Sequence, residues 1–204
     1  GYNMTLNINY EQLIKDSLKE AIKELLKSVS IKGVNGDFSE SYKAKIKLVD
    51  TKNDLAILKI DDPKFSNLNT PPYIISHGIS DVGTSAFALG YPLALSGMGN
   101  EIKFTNGMIS SKTGFNNDIK LYQTTTPLQQ GNSGGPIIDE LGNIVAIAVA
   151  KLDVDEVYAD FGVIPENTNF GIKGSIAKIL LQSFNIPLKA PNKKEIPKSE
   201  LSKI

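Results

Sequence analysis

The sequence predicts an all-β protein, a sandwich or a barrel, with one helix near each end. Short runs of alternating apolar and polar residues fill most of the chain after residue 28, and such runs are typical of half-buried β-strands. Turn-forming pairs such as Asn35-Gly36 and Pro71-Pro72 separate these runs. No repeated helices lie between the strands, which disfavours a parallel α/β fold.

The first element is an amphipathic helix over residues 10–28, where apolar residues recur at helical spacing and Glu11 can pair with Lys15. The predicted strands that follow cover residues 28–32, 42–49, 55–60, 85–89, 109–111, 119–125, 136–139 and 144–150. A second, short helix is predicted over residues 174–182. After residue 186 the chain is rich in proline and lysine, which predicts a tail or the start of a linker.

Composition excludes several classes of protein and site. Twenty-two basic residues balance twenty-two acidic ones, so charge predicts neither a nucleic-acid partner nor an anionic membrane. The longest fully apolar run covers residues 144–150, far short of the ~20 residues of a membrane span. The chain has no cysteine and one histidine, His77, which rules out thiolate zinc sites and multi-histidine metal sites. We therefore expect neither a metal nor a cofactor.

The most informative stretch is Gly131-Asn132-Ser133-Gly134-Gly135-Pro136. Its glycines permit backbone angles that are closed to other residues. The amides of Gly131, Asn132 and Ser133 could converge on one point, as an oxyanion hole requires. A glycine-rich hairpin between two strands is the alternative reading of the glycines alone.

The full string from Gln130 to Ile137, followed by Gly142-Asn143-Ile144-Val145, resembles the nucleophile loop of trypsin-like serine peptidases, in particular the bacterial HtrA type. Residues 53–60, 82–92 and 169–172 resemble other strands of that family in the right order. The resemblance implies two antiparallel β-barrels, over residues 29–75 and 76–185. A helical segment would precede them at 1–28, a tail would follow at 186–204, and no PDZ domain is expected. The first barrel would be incomplete within these residues.

By resemblance, the protein is a serine endopeptidase that forms an acyl-enzyme on Ser133, with Asp54 orienting a histidine base and Gly131, Asn132 and Ser133 lining the oxyanion hole. The implied substrate pocket comprises Pro127, Leu128, Ala148, Val149, Ala150 and Gly171. Because its floor position, Pro127, carries no carboxylate, we expect no preference for Lys or Arg at P1. Ala148, Val149 and Ala150 would wall the pocket, and because they are small and apolar we expect a small or medium apolar P1 residue. The alternative is that these three residues are strand core.

The histidine base is missing from its expected place. In the family it precedes the aspartate in a Thr-Asn-x-His string, whereas here no histidine precedes Asp54, and a weak echo of the family's opening strand puts Ile8 at that position. His77 lies in a polar turn between the two predicted barrels, where a solvated residue is expected. Three explanations stay open: a histidine outside these residues, a pseudopeptidase, or a base from another subunit. Because Ser133 and Asp54 are both present, we favour the first.

The partners follow from the same interpretation. A polypeptide is the expected substrate, and helix 10–28 could join copies in a homo-oligomer through its apolar stripe. If the protein is instead a non-catalytic binding module, that helix would stand in for the missing barrel strands. The acidic cluster Asp153, Asp155, Glu156 and Asp160 is interpreted as a solvated loop. The HtrA resemblance favours a periplasmic or secreted bacterial protein.

Overall fold

The computed structural model of the chain describes residues 28–34, 37–66, 73–92, 99, 101–149 and 167–202. The predicted helix over 10–28 lies outside these residues, except for Ser28, which begins a strand. Ala150 and the acidic cluster also lie outside the described residues. The chain divides into two compact units. The first is Gly1–Val49 with Ala56–Asn67, and the second is Asp50–Leu55 with Leu68–Ile204.

The first unit contains a three-stranded sheet in the order β1-β2-β3. Its strands are β1 (Ser28–Val34), β2 (Asp37–Asp50) and β3 (Leu55–Ile60). Strands β1 and β2 form an antiparallel hairpin in which Ser30 lies opposite Lys43. Ala44 is buried while its neighbours Lys43 and Lys45 are exposed, the alternation expected of a strand with one face in water.

The second unit is a closed barrel. Its strands are β4 (Ile74–Ile75), β5 (Ser85–Gly90), β6 (Lys103–Ser111), β7 (Leu121–Thr124), β8 (Pro136–Ile138), β9 (Asn143–Ala148) and β10 (Asn169–Lys173). The order β10-β7-β6-β5-β8-β9 closes because β9 also pairs with β10, and these pairings are antiparallel. Strand β4 adds a two-residue parallel pairing outside this ring. The predicted all-β fold is confirmed.

Strand β5 is buried on both faces and divides the core of this unit in two. Ala86 and Ala88 belong to one apolar cluster, together with Ile109, Tyr122 and Ile137. Phe87 and Leu89 belong to a second cluster on the other face of the strand, which also contains Ile138 and Leu201. The neighbouring Phe104 ring stacks on Phe87 with centroids 5.2 Å apart. Side chains outside the barrel therefore cover β5 as fully as those inside it.

Helix α1 (Gly174–Ser183) confirms the helix predicted over 174–182. Residues 186–204 are expected to form a proline- and lysine-rich tail, and part of this segment is ordered against the second unit. Residues 191–202, here called the C-terminal strap, pack on the barrel and end in a short helix, α2 (Lys198–Leu201). Asn192 and Asn143 exchange two hydrogen bonds, Ile196 N donates to Glu140 O at 2.9 Å, and Leu201 is buried. Apolar anchors thus override the proline- and lysine-rich composition.

None of the helices in the described part of the chain has the length and apolar character needed to cross a membrane.

Candidate active site

The nucleophile loop, residues 129–135, joins β7 to β8 and is bound to the end of β9. Gly134 N donates to Ala148 O at 2.8 Å, and Ala148 N donates to Gly135 O at 2.9 Å. Gly131 and Gly134 have φ angles of 100° and 81°, in a region that favours glycine because it has no Cβ. The loop is therefore held by the backbone of β9 and shaped by its own glycines.

Strand β5 supports the same loop from another side. A Cβ on Gly135 would lie 2.8 Å from both Leu89 O and Asn132 O, and one on Gly90 would lie 3.3 Å from the Asn132 side chain. Only glycine allows such close backbone approaches. The loop consequently fits tightly against β5, with no room for a side chain at Gly135 and little room at Gly90.

Ser133 lies exposed on this loop, as a nucleophile must, and Gly131 is exposed beside it. Asn132 is buried, and its amide donates to Gln129 O at 2.9 Å. Because the Asn132 amide already has an acceptor, it is a weaker candidate for the predicted oxyanion hole. The amides of Gly131 and Ser133 remain the predicted donors.

Asp54 lies on the turn between β2 and β3, residues 50–55, here called the Asp54 turn. Asp50 organises this turn: its carboxylate accepts from Lys52 N at 3.1 Å, Asn53 N at 3.2 Å and Asn53 Nδ2 at 2.6 Å. The hydrogen bond from the Asn53 side chain is the main reason why the pKa of Asp50 lies below its usual value. Asp54 itself has a φ of 50°, a left-handed conformation that Asp tolerates better than most residues.

The Asp54 turn belongs to the second unit, together with the barrel that carries Ser133. Asp54 lines a cavity of about 240 Å³ with Val149, Leu121 and Ile172. Val149 directly follows Ala148, whose amide and carbonyl each form a hydrogen bond with the nucleophile loop. One short stretch of backbone, residues 148–149, therefore connects the surroundings of Asp54 to those of Ser133.

The residues of the predicted substrate pocket do not share one environment. Leu128 and Ala148 are buried in the barrel interior, where they contribute to the core. Pro127 is exposed, and its carbonyl accepts from Thr105 Oγ1 at 2.8 Å. Gly171 lies opposite Ala148 in the β10–β9 pairing. Of the two buried residues, Ala148 ends β9, as the strand-core alternative expects, whereas Leu128 lies between β7 and β8.

His77 lies at the opposite end of β9 from the nucleophile loop. It is exposed and lines an open cavity of about 490 Å³ with residues of α1 and the chain that follows it, among them Lys178 and Gln182. The preceding Ser76 N donates to Ile144 O near the start of β9, whereas the loop binds Ala148. Ala148 lies four positions along the strand from Ile144, about 13 Å at 3.3 Å per residue. The described structure thus brings Asp54, but not His77, toward the loop.

Sequence reasoning missed two residues that shape the site, Asp50 and Lys120. The Asp50-x-x-Asn53 spacing is a turn signal that could have revealed the first. Lys120 donates from Nζ to Lys52 O at 3.0 Å, a contact between distant parts of the sequence for which no local pattern exists.

Comparison with known proteins supplies the family. A family model described as the trypsin-like peptidase domain matches residues 18–147, a range that includes Asp54 and Ser133. The uncharacterized protein y4bJ of Sinorhizobium fredii is 35% identical over 162 residues, which are 78% of this chain and 24% of that protein. Serine protease HTRA1A of Danio rerio is 33% identical over 121 residues, which are 55% of this chain and 23% of that protein.

A solved structure agrees with these matches. The crystal structure of the serine endoprotease from Yersinia pestis has a TM-score of 0.56 and 27% sequence identity, and it covers 77% of this chain and 48% of that chain. The present chain spans about a quarter of the length of the two relatives named above.

Proposed function

Because the chain belongs to the trypsin-like peptidase domain family, and within it to the HtrA type, we propose that it is a serine endopeptidase that forms an acyl-enzyme on Ser133. One observation carries the proposal. Exposed Ser133 lies on a loop bound at Ala148, and the next residue, Val149, lines the cavity of Asp54. A nucleophile and an acid that can orient its base thus flank one segment of backbone.

In this mechanism Ser133 Oγ attacks the carbonyl carbon of a peptide bond while a histidine removes its proton. The Gly131 and Ser133 amides stabilise the negative charge on the carbonyl oxygen, and Asp54 fixes the tautomer of the histidine. The histidine then protonates the leaving amine, and water releases the acyl group from Ser133. The substrate is a polypeptide, with a small or medium apolar P1 residue.

The base must come from outside these 204 residues, because the sequence has one histidine and it lies toward the other end of β9. We propose that another part of the natural protein supplies it; another subunit is the second source. The requirement is strong, since loss of the base costs up to about 10⁶-fold in kcat in serine peptidases.

A fluorophosphonate probe tests the nucleophile. We expect the natural full-length protein to be labelled at Ser133 and to cleave a peptide with an apolar P1 residue. Ser133→Ala should abolish both signals, while Ser66→Ala, which alters an exposed serine of the first unit, and His77→Gln should leave both unchanged. Labelling that survives Ser133→Ala contradicts the assignment, and loss of cleavage in His77→Gln would identify His77 as the base.

The alternative function is a pseudopeptidase that binds peptides without cutting them. The absence of a second histidine from the sequence is the observation in its favour. The coding sequence upstream of Gly1 discriminates directly, because the peptidase needs a Thr-Asn-x-His string there or a partner subunit. A full-length protein that binds peptide, leaves it intact over long incubation and resists the probe is a binding module.

A further inference from the structure

We propose that Lys120 is a positioning residue, which holds the Asp54 turn against the barrel that carries Ser133. The inference rests on the proposed function, since it assigns to Lys120 a part in orienting Asp54. Lys120 lies immediately before β7, and its Nζ donates to Lys52 O at 3.0 Å, two residues before Asp54. The bond joins a barrel strand to the turn between β2 and β3.

The barrel end of this contact is fixed by the backbone. Lys173 N, at the end of β10, donates to Lys120 O at 3.0 Å, and Lys120 N donates to Asp118 Oδ1 at 2.9 Å. The second carboxylate oxygen of Asp118 lies 3.7 Å from Lys120 Nζ. The lysine side chain therefore starts from an anchored position, and a carboxylate lies beside its ammonium group.

At the other end of this contact, the Asp54 turn is closed by the hydrogen bonds of Asp50, and these bonds stay within the turn and do not attach it to the barrel. Asp50 closes the turn by accepting from Lys52 and Asn53, so these bonds fix its shape rather than its place. Lys120 supplies an attachment from outside. Asp54 and Lys120 line the same cavity, with Val149, so a shift of the turn would carry Asp54 away from Val149 and the nucleophile loop.

The hydrogen bond to Lys52 O, rather than the ion pair with Asp118, is the contact that matters. A charged donor strengthens a hydrogen bond to a carbonyl. The ion pair is long, and its lysine side chain is 41% exposed, a setting in which ion pairs contribute little. Removing the ammonium group should therefore loosen the turn without unfolding the barrel.

The experiment compares Lys120→Met, which keeps most of the aliphatic stem, with Lys120→Arg, which restores a charged donor. Lys112→Met is the matched control, because Lys112 pairs with exposed Asp81 on the same barrel. In the full-length protein we expect Lys120→Met to lower kcat about 10- to 100-fold, the range for a misplaced catalytic group, with KM within about twofold. Lys120→Arg should recover most of kcat, and Lys112→Met should match the wild type.

Amide hydrogen exchange of Lys52 and Asn53 provides a readout that needs no catalysis. Lys120→Met should make both amides exchange faster, and Lys120→Arg should restore their protection. Unchanged exchange in Lys120→Met overturns the proposal, and so does faster exchange with an unchanged kcat, because the turn would then be attached but position nothing. If the wild-type protein cleaves no peptide, the proposed function fails, and the exchange rates alone decide whether Lys120 holds the turn.

Discussion

Leu201 is the apolar anchor of the C-terminal strap, and we predict that Leu201→Ala strongly destabilises the second unit. Its side chain is 1% exposed and packs with Phe87, Leu89 and Ile138. Replacing a fully buried leucine by alanine costs about 2–5 kcal/mol through lost burial and the cavity left behind. The strap can also detach from the barrel as a whole instead of leaving a cavity. We therefore expect about 2–4 kcal/mol, measured by urea denaturation.

The two ways of losing Leu201 can be distinguished. If the strap detaches, a chain that ends at residue 190 should lose about as much stability as Leu201→Ala, and the Ile196 amide, which now donates to Glu140 O, should lose its protection from exchange. Ile179→Ala is the control, since Ile179 on α1 is 64% exposed and should change stability by less than about 0.5 kcal/mol. A loss of similarly small size for Leu201→Ala would refute the view that the strap is part of the folded unit.

Two further predictions concern the site. Gly135→Ala forces a Cβ to 2.8 Å from two backbone oxygens. It should therefore destabilise the protein by about 1–3 kcal/mol and abolish probe labelling of Ser133. Gly78→Ala is the control and should do neither, because a Cβ at Gly78 would have nothing within 4 Å. Asp50 has a lowered pKa, so its carboxylate stabilises the fold above about pH 4 and loses this effect as pH falls through the folded pKa. Asp50→Asn should therefore lower the free energy of unfolding at neutral pH, and this free energy should fall less steeply on acidification than in the wild type. If denaturation at several pH values gives the same pH dependence for both proteins, the prediction is contradicted.

Local pattern predicted most of the strands, because runs of strand-forming residues are bounded by turn signals and because strands such as β2 and β7 differ in burial between their two faces. It predicted β6 only from residue 109, whereas the strand begins at Lys103. Asn106-Gly107 is by type a turn signal, yet a Cβ on Gly107 would lie 2.4 Å from Thr126 N. The glycine is there because another segment of backbone passes close to it. A sequence cannot separate these two reasons for a glycine, since the second depends on a distant part of the chain.

The resemblance to a family directed attention to Ser133 and Asp54, but contacts across the fold determine how they are held. By composition, the strap suggests a linker, because it contains Pro191, Lys193, Lys194 and Pro197. In the folded chain, Ile196 and Leu201 pack among apolar neighbours, and Ile196 N donates to Glu140 O. The bond from Lys120 to Lys52 O spans 68 residues of sequence. Such pairings have no local signature, because only the folded chain brings the two partners together.

The residues of the nucleophile loop are explained in two ways, by backbone geometry and by catalysis. Gly131, Gly134 and Gly135 are required by their φ angles or by close backbone contacts, so a pseudopeptidase with this fold would need them as well. Ser133 is exposed, and no hydrogen bond of its side chain is found within the described residues, so packing would accept alanine there. A serine at that position therefore favours a working nucleophile over a binding module, and such a nucleophile requires a histidine from outside these residues.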